Sequence, residues 1–264
     1  MSSYIISPTN CKSGPKLAAY LGIASFAGCD VPAGYPRPDW VIRWGSIRSI
    51  PKMPLLRRTF NSRGAITSRG DRFNQLELLS GVVPVPRFSR HPIVGAICKH
   101  CNGHGAPVAQ IGRSEARNAN AMLSSRGKGM TLYKAGQQPA EHDYFVEYIE
   151  KDHEYRVDVV GEATRVRELL GGDGVAWNVL GDYAIAYMGQ AMHDKITAQA
   201  LAAVRRFDLD FGAVDIITRD DEGFVLEVNT APALSNYTLE WYAQQFQELM
   251  GLKQIPGWAE VEAQ

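Results

Sequence analysis

The sequence predicts an α+β fold built from more than one lobe. Strand-like runs occur in close consecutive pairs, at 144–149 with 155–160 and at 211–218 with 224–229. Such spacing favours antiparallel pairing over strict strand–helix alternation. Helical spacing is confined to a few stretches between these runs. The 264 residues, 45% hydrophobic and 21% charged, can form a real core and have room for two to three small lobes.

Taken in order, Tyr4 to Ile6 reads as a short strand, and small residues from Leu17 to Phe26 as a helix. Pro32, Pro36 and Pro38 mark an irregular connection. Trp40 to Gly45 reads as a buried strand ending at a glycine turn. Phe73, Leu76 and Leu79 have helical spacing within Asp71 to Leu79, with Gly81 as the expected C-terminal cap. Pro84 and Pro86 keep Val82 to Pro86 extended. Beyond them, Ile93 to Cys98 reads as a strand, followed by the glycine-rich Asn102 to Gly105 and further short elements up to Tyr133. After the paired strands 144–149 and 155–160, the stretch from Ala163 to Met188 reads as loops. Lys195 to Phe207 is helical, with Ile196, Ala200, Ala203 and Val204 on one face. Phe211 to Thr218 and Phe224 to Asn229 form a hairpin across Arg219 to Gly223, and Glu240 to Leu249 closes the chain as a helix.

Bulk charge excludes some partners. With 28 basic and 28 acidic residues the chain is formally neutral, which gives no drive towards nucleic acid or an anionic membrane. No apolar run approaches the roughly 18 residues of a membrane span, and the start has no signal-peptide pattern. Four cysteines do not make a disulfide scaffold, so a cytoplasmic protein with reduced thiols is expected. The first third is locally basic, through Arg43, Arg48, Arg57, Arg58, Arg63, Arg69 and Arg72, as a plain basic surface or a phosphate- or carboxylate-binding one would be.

Three constellations carry chemistry. Glu227 and Asn229 lie two apart in a strand and so share a face. With the turn centred near Asp221, Asp215 lies opposite Glu227, and the three side chains converge. Two carboxylates and an amide among apolar neighbours need a partner, and a hard divalent cation suits them. Glu147 ends one strand and Glu154 begins the next; the segment between offers backbone groups at Tyr148 and Ile149. Lys99 precedes a loop containing Gly103 and Gly105, where backbone N–H groups can approach phosphates.

These segments resemble the ATP-grasp superfamily. Glu147 to Val157 (EYIEKDHEYRV) looks like the hinge and following strand of that fold. Leu209 to Asp215 (LDFGAVD) with Leu226 to Pro232 (LEVNTAP) is similar to its C-terminal metal-binding signature. Val41 to Gly45 and the helix before Val83 to Pro86 are similar to the small lobe that precedes many such domains. The resemblance implies a small α/β pre-ATP-grasp lobe over 1–85, an ATP-grasp domain of two α+β lobes clasping ATP over 86–250, hinged near 146–150, and a tail over 251–264. It implies a ligase forming an amide or peptide bond (EC 6.3 type) through an acyl phosphate, from small-molecule or peptide carboxylate and amine substrates. Compact forms of the arrangement are familiar from bacteriophage and bacterial RimK-like ligases, so the compartment would be the cytoplasm, or the host's for a phage protein. Residue by residue, it makes Asp215, Glu227 and Asn229 the ligands of Mg²⁺ (or Mn²⁺). Glu147, Tyr148 and Ile149 become the adenine hinge, and Glu154 the ribose ligand. Lys99 becomes the phosphate lysine, with Lys134 competing for that role. Arg156 would hold the carboxylate or the acyl phosphate, and Arg165, Arg167 and Asn178 compete as a further polar group. The loop His100 to Gly105 lacks the family's fuller Gly-Gly-x-Gly run.

Other readings stay open at this point. The same fold can serve as a kinase or a nucleotide-binding protein without ligase activity. Cys98, Cys101 and His104, with Cys11 and Cys29, are the donors a zinc-stabilised binding module would use. The acidic runs 208–210 and 220–222 lack the spacing of a calcium loop. Oligomeric state is not legible.

Overall fold

The computed structural model describes residues 3–28, 31–47 apart from 33 and 37, 58–69, 71–93, 96–100, 130–132, 143–170, 182–186 and 188–251. The first sheet is parallel, in the order β2-β1-β3-β4, from β1 (Ser3–Ser7), β2 (Ala24–Ala27), β3 (Trp40–Arg43) and β4 (Arg58–Phe60). Every residue of β1 is buried, as a central strand covered on both faces should be. Helix α1 (Ser13–Leu21) connects β1 to β2. It does not reach Phe26, because Gly22 turns left-handed (φ +66°) and caps it.

Two short helices follow, α2 (Arg63–Ser68) and α3 (Arg72–Leu79). The Asp71 carboxylate caps α3 by accepting the Asn74 N–H at 2.9 Å. Gly81 is not the cap expected for its other end: Ser80 caps it in the right-handed region, and the Val82 and Val83 N–H groups both donate to the Leu79 carbonyl.

The second sheet is antiparallel, in the order β5-β8-β6-β7, from β5 (Phe88–Ser89), β6 (Ile97–His100), β7 (Met130–Leu132) and β8 (Asp143–Val146). The third, also antiparallel, has the order β11-β10-β9-β12-β13. Its strands are β9 (His153–Val160), β10 (Ala163–Leu170), β11 (Asp182–Ile185), β12 (Phe211–Arg219) and β13 (Glu222–Asn229). The stretch from Ala163 to Met188, expected as loops, therefore contains two strands. Helices α4 (Gln190–Arg206) and α5 (Asn236–Met250) start earlier than their apolar spacing suggests. For α5 the cause is a capping box between Ser235 and Thr238.

One face of the third sheet is apolar. Tyr155, Val157 and Val159 of β9, Val214 and Ile216 of β12, and Val225 and Val228 of β13 pack on Ile196, Ala200, Ala203 and Val204 of α4. A second cluster joins α1, α5 and the first sheet to Val160 and Phe211, with Trp44 stacked on Phe211 at 5.2 Å. Helix α3 spans two sheets: Phe73 and Leu76 pack on Tyr144 and Val146, while Leu79 enters the α4 cluster.

Asn61 joins β4 to β12. Fully buried, it adopts φ +55°, tolerable for asparagine. Its Oδ1 accepts the Asp210 and Phe211 N–H groups at 2.8 and 3.1 Å, and its Nδ2 donates to the Phe211 carbonyl at 2.9 Å. Asn61→Ala orphans all three backbone groups and keeps a strained backbone. Urea denaturation should show a loss of roughly 2–4 kcal/mol; a loss within experimental error would refute this role.

Candidate metal and nucleotide site

The β12–β13 hairpin turns on Asp220 and Asp221, both left-handed (φ +49° and +63°), as a two-residue type I′ turn requires. The ladder runs from Arg219↔Glu222 to Ile216↔Val225, then resumes at Asp215↔Glu227. Leu226 is the extra residue of a β-bulge. Val225 and Val228, three apart, consequently both face the α4 core. Glu227 and Asn229 face the other side, together with Asp215.

That side carries a row of charge across four strands. Arg167, Arg156, Asp215 and Glu227 are successive cross-strand partners in β10, β9, β12 and β13. Arg156 binds both Asp215 oxygens, Nε to Oδ1 at 2.6 Å and Nη2 to Oδ2 at 2.8 Å. The Asn229 amide donates to Glu227 Oε1 at 2.9 Å and to Asp215 Oδ2 at 3.3 Å. Arg72 of α3 forms an ion pair with Glu227. The three predicted metal ligands thus converge, flanked by two arginines.

Arg167 is committed elsewhere. It is buried and grips Asp158 through two bonds, of 2.8 and 3.0 Å, while the Tyr242 hydroxyl of α5 donates to the same carboxylate at 3.1 Å. Arg165, directly opposite Asp158, is only half-buried and donates instead to the Tyr237 carbonyl at 2.8 Å.

Burial pushes the Asp215 carboxyl up to about 6; Arg156 opposes the shift, and Glu227 and Glu154 add to it. Burial likewise lowers the Arg69 guanidinium, against Glu227. Clustered, partly desolvated carboxylates favour a cation. Two carboxylates and an amide oxygen suit a hard divalent ion, so the residues fit the implied Mg²⁺. Among the described residues no three His, Cys, Asp or Glu side chains gather as a metal site.

The expected hinge, near 146–150, falls at the end of β8 in the second sheet, before β9 of the third begins at His153. Glu147 is paired through two bonds with Arg87, which holds its carboxyl below the usual range. Tyr148 is exposed and Ile149 half-buried. Glu154 is buried and ion-paired with Lys151. The backbone of Lys99 lies in β6, paired with Met130 and Tyr144; its side chain lies outside the described residues. Gly103, Gly105, Lys134 and Asn178 also lie outside them, as do the zinc candidates Cys29, Cys101 and His104 and the Cys98 side chain. Sequence reasoning missed Gln75, Asp158 and Tyr242, and it saw Arg69 and Arg72 only as part of a basic stretch.

No family model and no curated protein sequence matches the chain. Solved structures do. The macrocyclase MdnC from Microcystis aeruginosa, bound with its precursor peptide MdnA, superposes with a TM-score of 0.61 at 14% identity, over 96% of this chain and 100% of that one. The ATP-grasp ligase PsnB with a minimal precursor gives 0.57 at 14% identity, over 90% and 93%. The D-alanine–D-alanine ligase of Bacillus anthracis gives 0.58 at 10% identity, over 95% of each chain. The chain has the ATP-grasp fold.

The usual aspartate value is 3.8, and that of Asp215 is about 6. Between these values the folded chain holds a proton that the unfolded chain has lost, so the contribution of Asp215 to stability falls as pH rises from about 4 to about 6. With metal chelated, the stability of the unaltered protein minus that of Asp215→Asn should decline across this window and level off above it. A difference that stays constant or rises would contradict the assignment.

Proposed function

We propose that the chain is an ATP-dependent carboxylate–amine ligase. A substrate carboxylate oxygen attacks the γ-phosphorus of ATP, the bond to the β-phosphate oxygen breaks, and ADP leaves. An amine then attacks the acyl carbon, the carbon–oxygen bond to phosphate breaks, and an amide forms as phosphate leaves and the amine loses a proton. The observation that carries this reading is the convergence of Asp215, Glu227 and Asn229 beside Arg156. Phosphoryl transfer depends mainly on positioning and on neutralised charge, which such a cluster supplies. Mg²⁺ (or Mn²⁺), when bound there, would neutralise the phosphate oxygens; PsnB has been solved with Mg and ADP.

In this reading the backbone at Glu147, Tyr148 and Ile149 meets the adenine edge, and Glu154 meets the ribose. Lys99 or Lys134 and the loop with Gly103 and Gly105 meet the phosphates. With Asp215 turned to the cation, Arg156, which grips that carboxylate in this structure, would hold the substrate carboxylate. Because Arg167 is already neutralised by Asp158, Arg165 is the better placed of the two to meet a substrate anion, with Asn178 as a further polar candidate. The precursor peptide bound to MdnC makes a peptide one of the substrates worth testing. The RimK-like grouping and a cytoplasmic location belong to the same reading.

Glu227→Gln and Asn229→Ala should each lower turnover about 100-fold or more while the cooperative unfolding transition survives. The assay is carboxylate-dependent release of ADP over a panel of amino acids and peptides, with hydroxylamine trapping the acyl phosphate. Full turnover in both variants would remove the metal site from the mechanism. Release of AMP instead of ADP would remove the acyl phosphate.

A further inference from the structure

The geometry points to Arg69 and Gln75 as positioning residues that fix the metal-binding strand by clamping the backbone of Val228. Among the described residues strand β13 lies at the edge of its sheet, and the Val228 N–H and C=O point away from β12. Both are met by side chains from the end of α2 and from α3. The Val228 N–H donates to Gln75 Oε1 at 3.2 Å, and Arg69 Nη1 donates to the Val228 carbonyl. Three residues along from each, Arg72 pairs with Glu227. Further along the same edge, the Val225 N–H donates to the Pro84 carbonyl at 2.9 Å.

The position of this clamp matters more than its strength. Val228 separates Glu227 from Asn229, so holding its two peptide groups sets the direction in which both neighbouring side chains leave the strand. A ligand set tolerates only about 0.5 Å and 10–20° of error. As mere edge cover, Arg69 is a poor choice. Among the described residues its buried Nε has no hydrogen-bond partner, and a desolvated guanidinium is costly where an apolar side chain or water could cover the strand. The buried amide of Gln75 accepts from a single N–H in the same way. A costly polar clamp lying between two ligands fits a role in shaping the site.

The proposal rests on the metal site of the ligase reading, so the unaltered protein is titrated first. Mn²⁺ with ADP is followed by electron paramagnetic resonance. Arg69→Met and Gln75→Leu should each weaken Mn²⁺ binding about 10–100-fold, the range typical of partners that orient metal ligands. Arg69→Lys, which keeps a donor, should recover most of that affinity. A melting temperature alone would not separate these variants in this order. If a truncation fails to fold, Gln75→Asn keeps a buried amide but withdraws its acceptor, and several-fold weaker Mn²⁺ binding is expected. Wild-type affinity in folded Arg69→Met and Gln75→Leu, or in Gln75→Asn, overturns the positioning role and leaves the ligase reading intact. No Mn²⁺ binding by the unaltered protein overturns both.

Discussion

Strand β13 has to serve two faces that would otherwise be out of step. Its turn fixes the register at Asp220 and Asp221, and an unbroken ladder from there would set Asp215 opposite Leu226. Val228 and Glu227 would then exchange faces, putting a carboxylate into the α4 core and a valine among the charges. The bulge at Leu226 corrects the phase by one residue. Val225 and Val228 both remain in the core, and Glu227 and Asn229 join Asp215. Everything assigned to the site depends on that single register shift.

Once the charges share a face, their neutralisation ties separate elements together. Arg156 answers Asp215 from β9, and Arg72 answers Glu227 from α3. Asp158 and Arg167 neutralise each other one step along the sheet and are closed off by Tyr242 from α5. Helix α3 is central to this arrangement. Its apolar side rests on the second sheet through Phe73 and Leu76, while Arg72 and Gln75 reach the third. The helix that supports the second sheet thus also touches the candidate metal strand.

Much of this was legible in the chain, though not always for the reason given. The spacing of Ile196, Ala200, Ala203 and Val204 identified the buried face of α4, because a helix repeats its faces regularly. The pairing of Asp215 with Glu227 followed from a turn centred on Asp221, whereas the turn lies half a residue earlier and the bulge makes up the difference. A bulge leaves no mark in a run such as Phe224 to Asn229, because each residue there suits a strand in either phase. Strand β10 is not legible as a strand because Arg165, Arg167 and Glu168 hide its alternation. The contacts of Arg69, Arg72 and Gln75 join residues some 150 positions apart in sequence, and periodicity says nothing about pairs at that distance.

The most direct test of the central claim is to locate the cation itself. Anomalous diffraction from crystals grown with Mn²⁺ and ADP gives the ion's position independently of any assumption about activity. The account predicts one Mn²⁺ peak bounded by the side-chain oxygens of Asp215, Glu227 and Asn229. Mn²⁺ bound to ADP but remote from these residues, with Arg156 still bonded to Asp215, would contradict it.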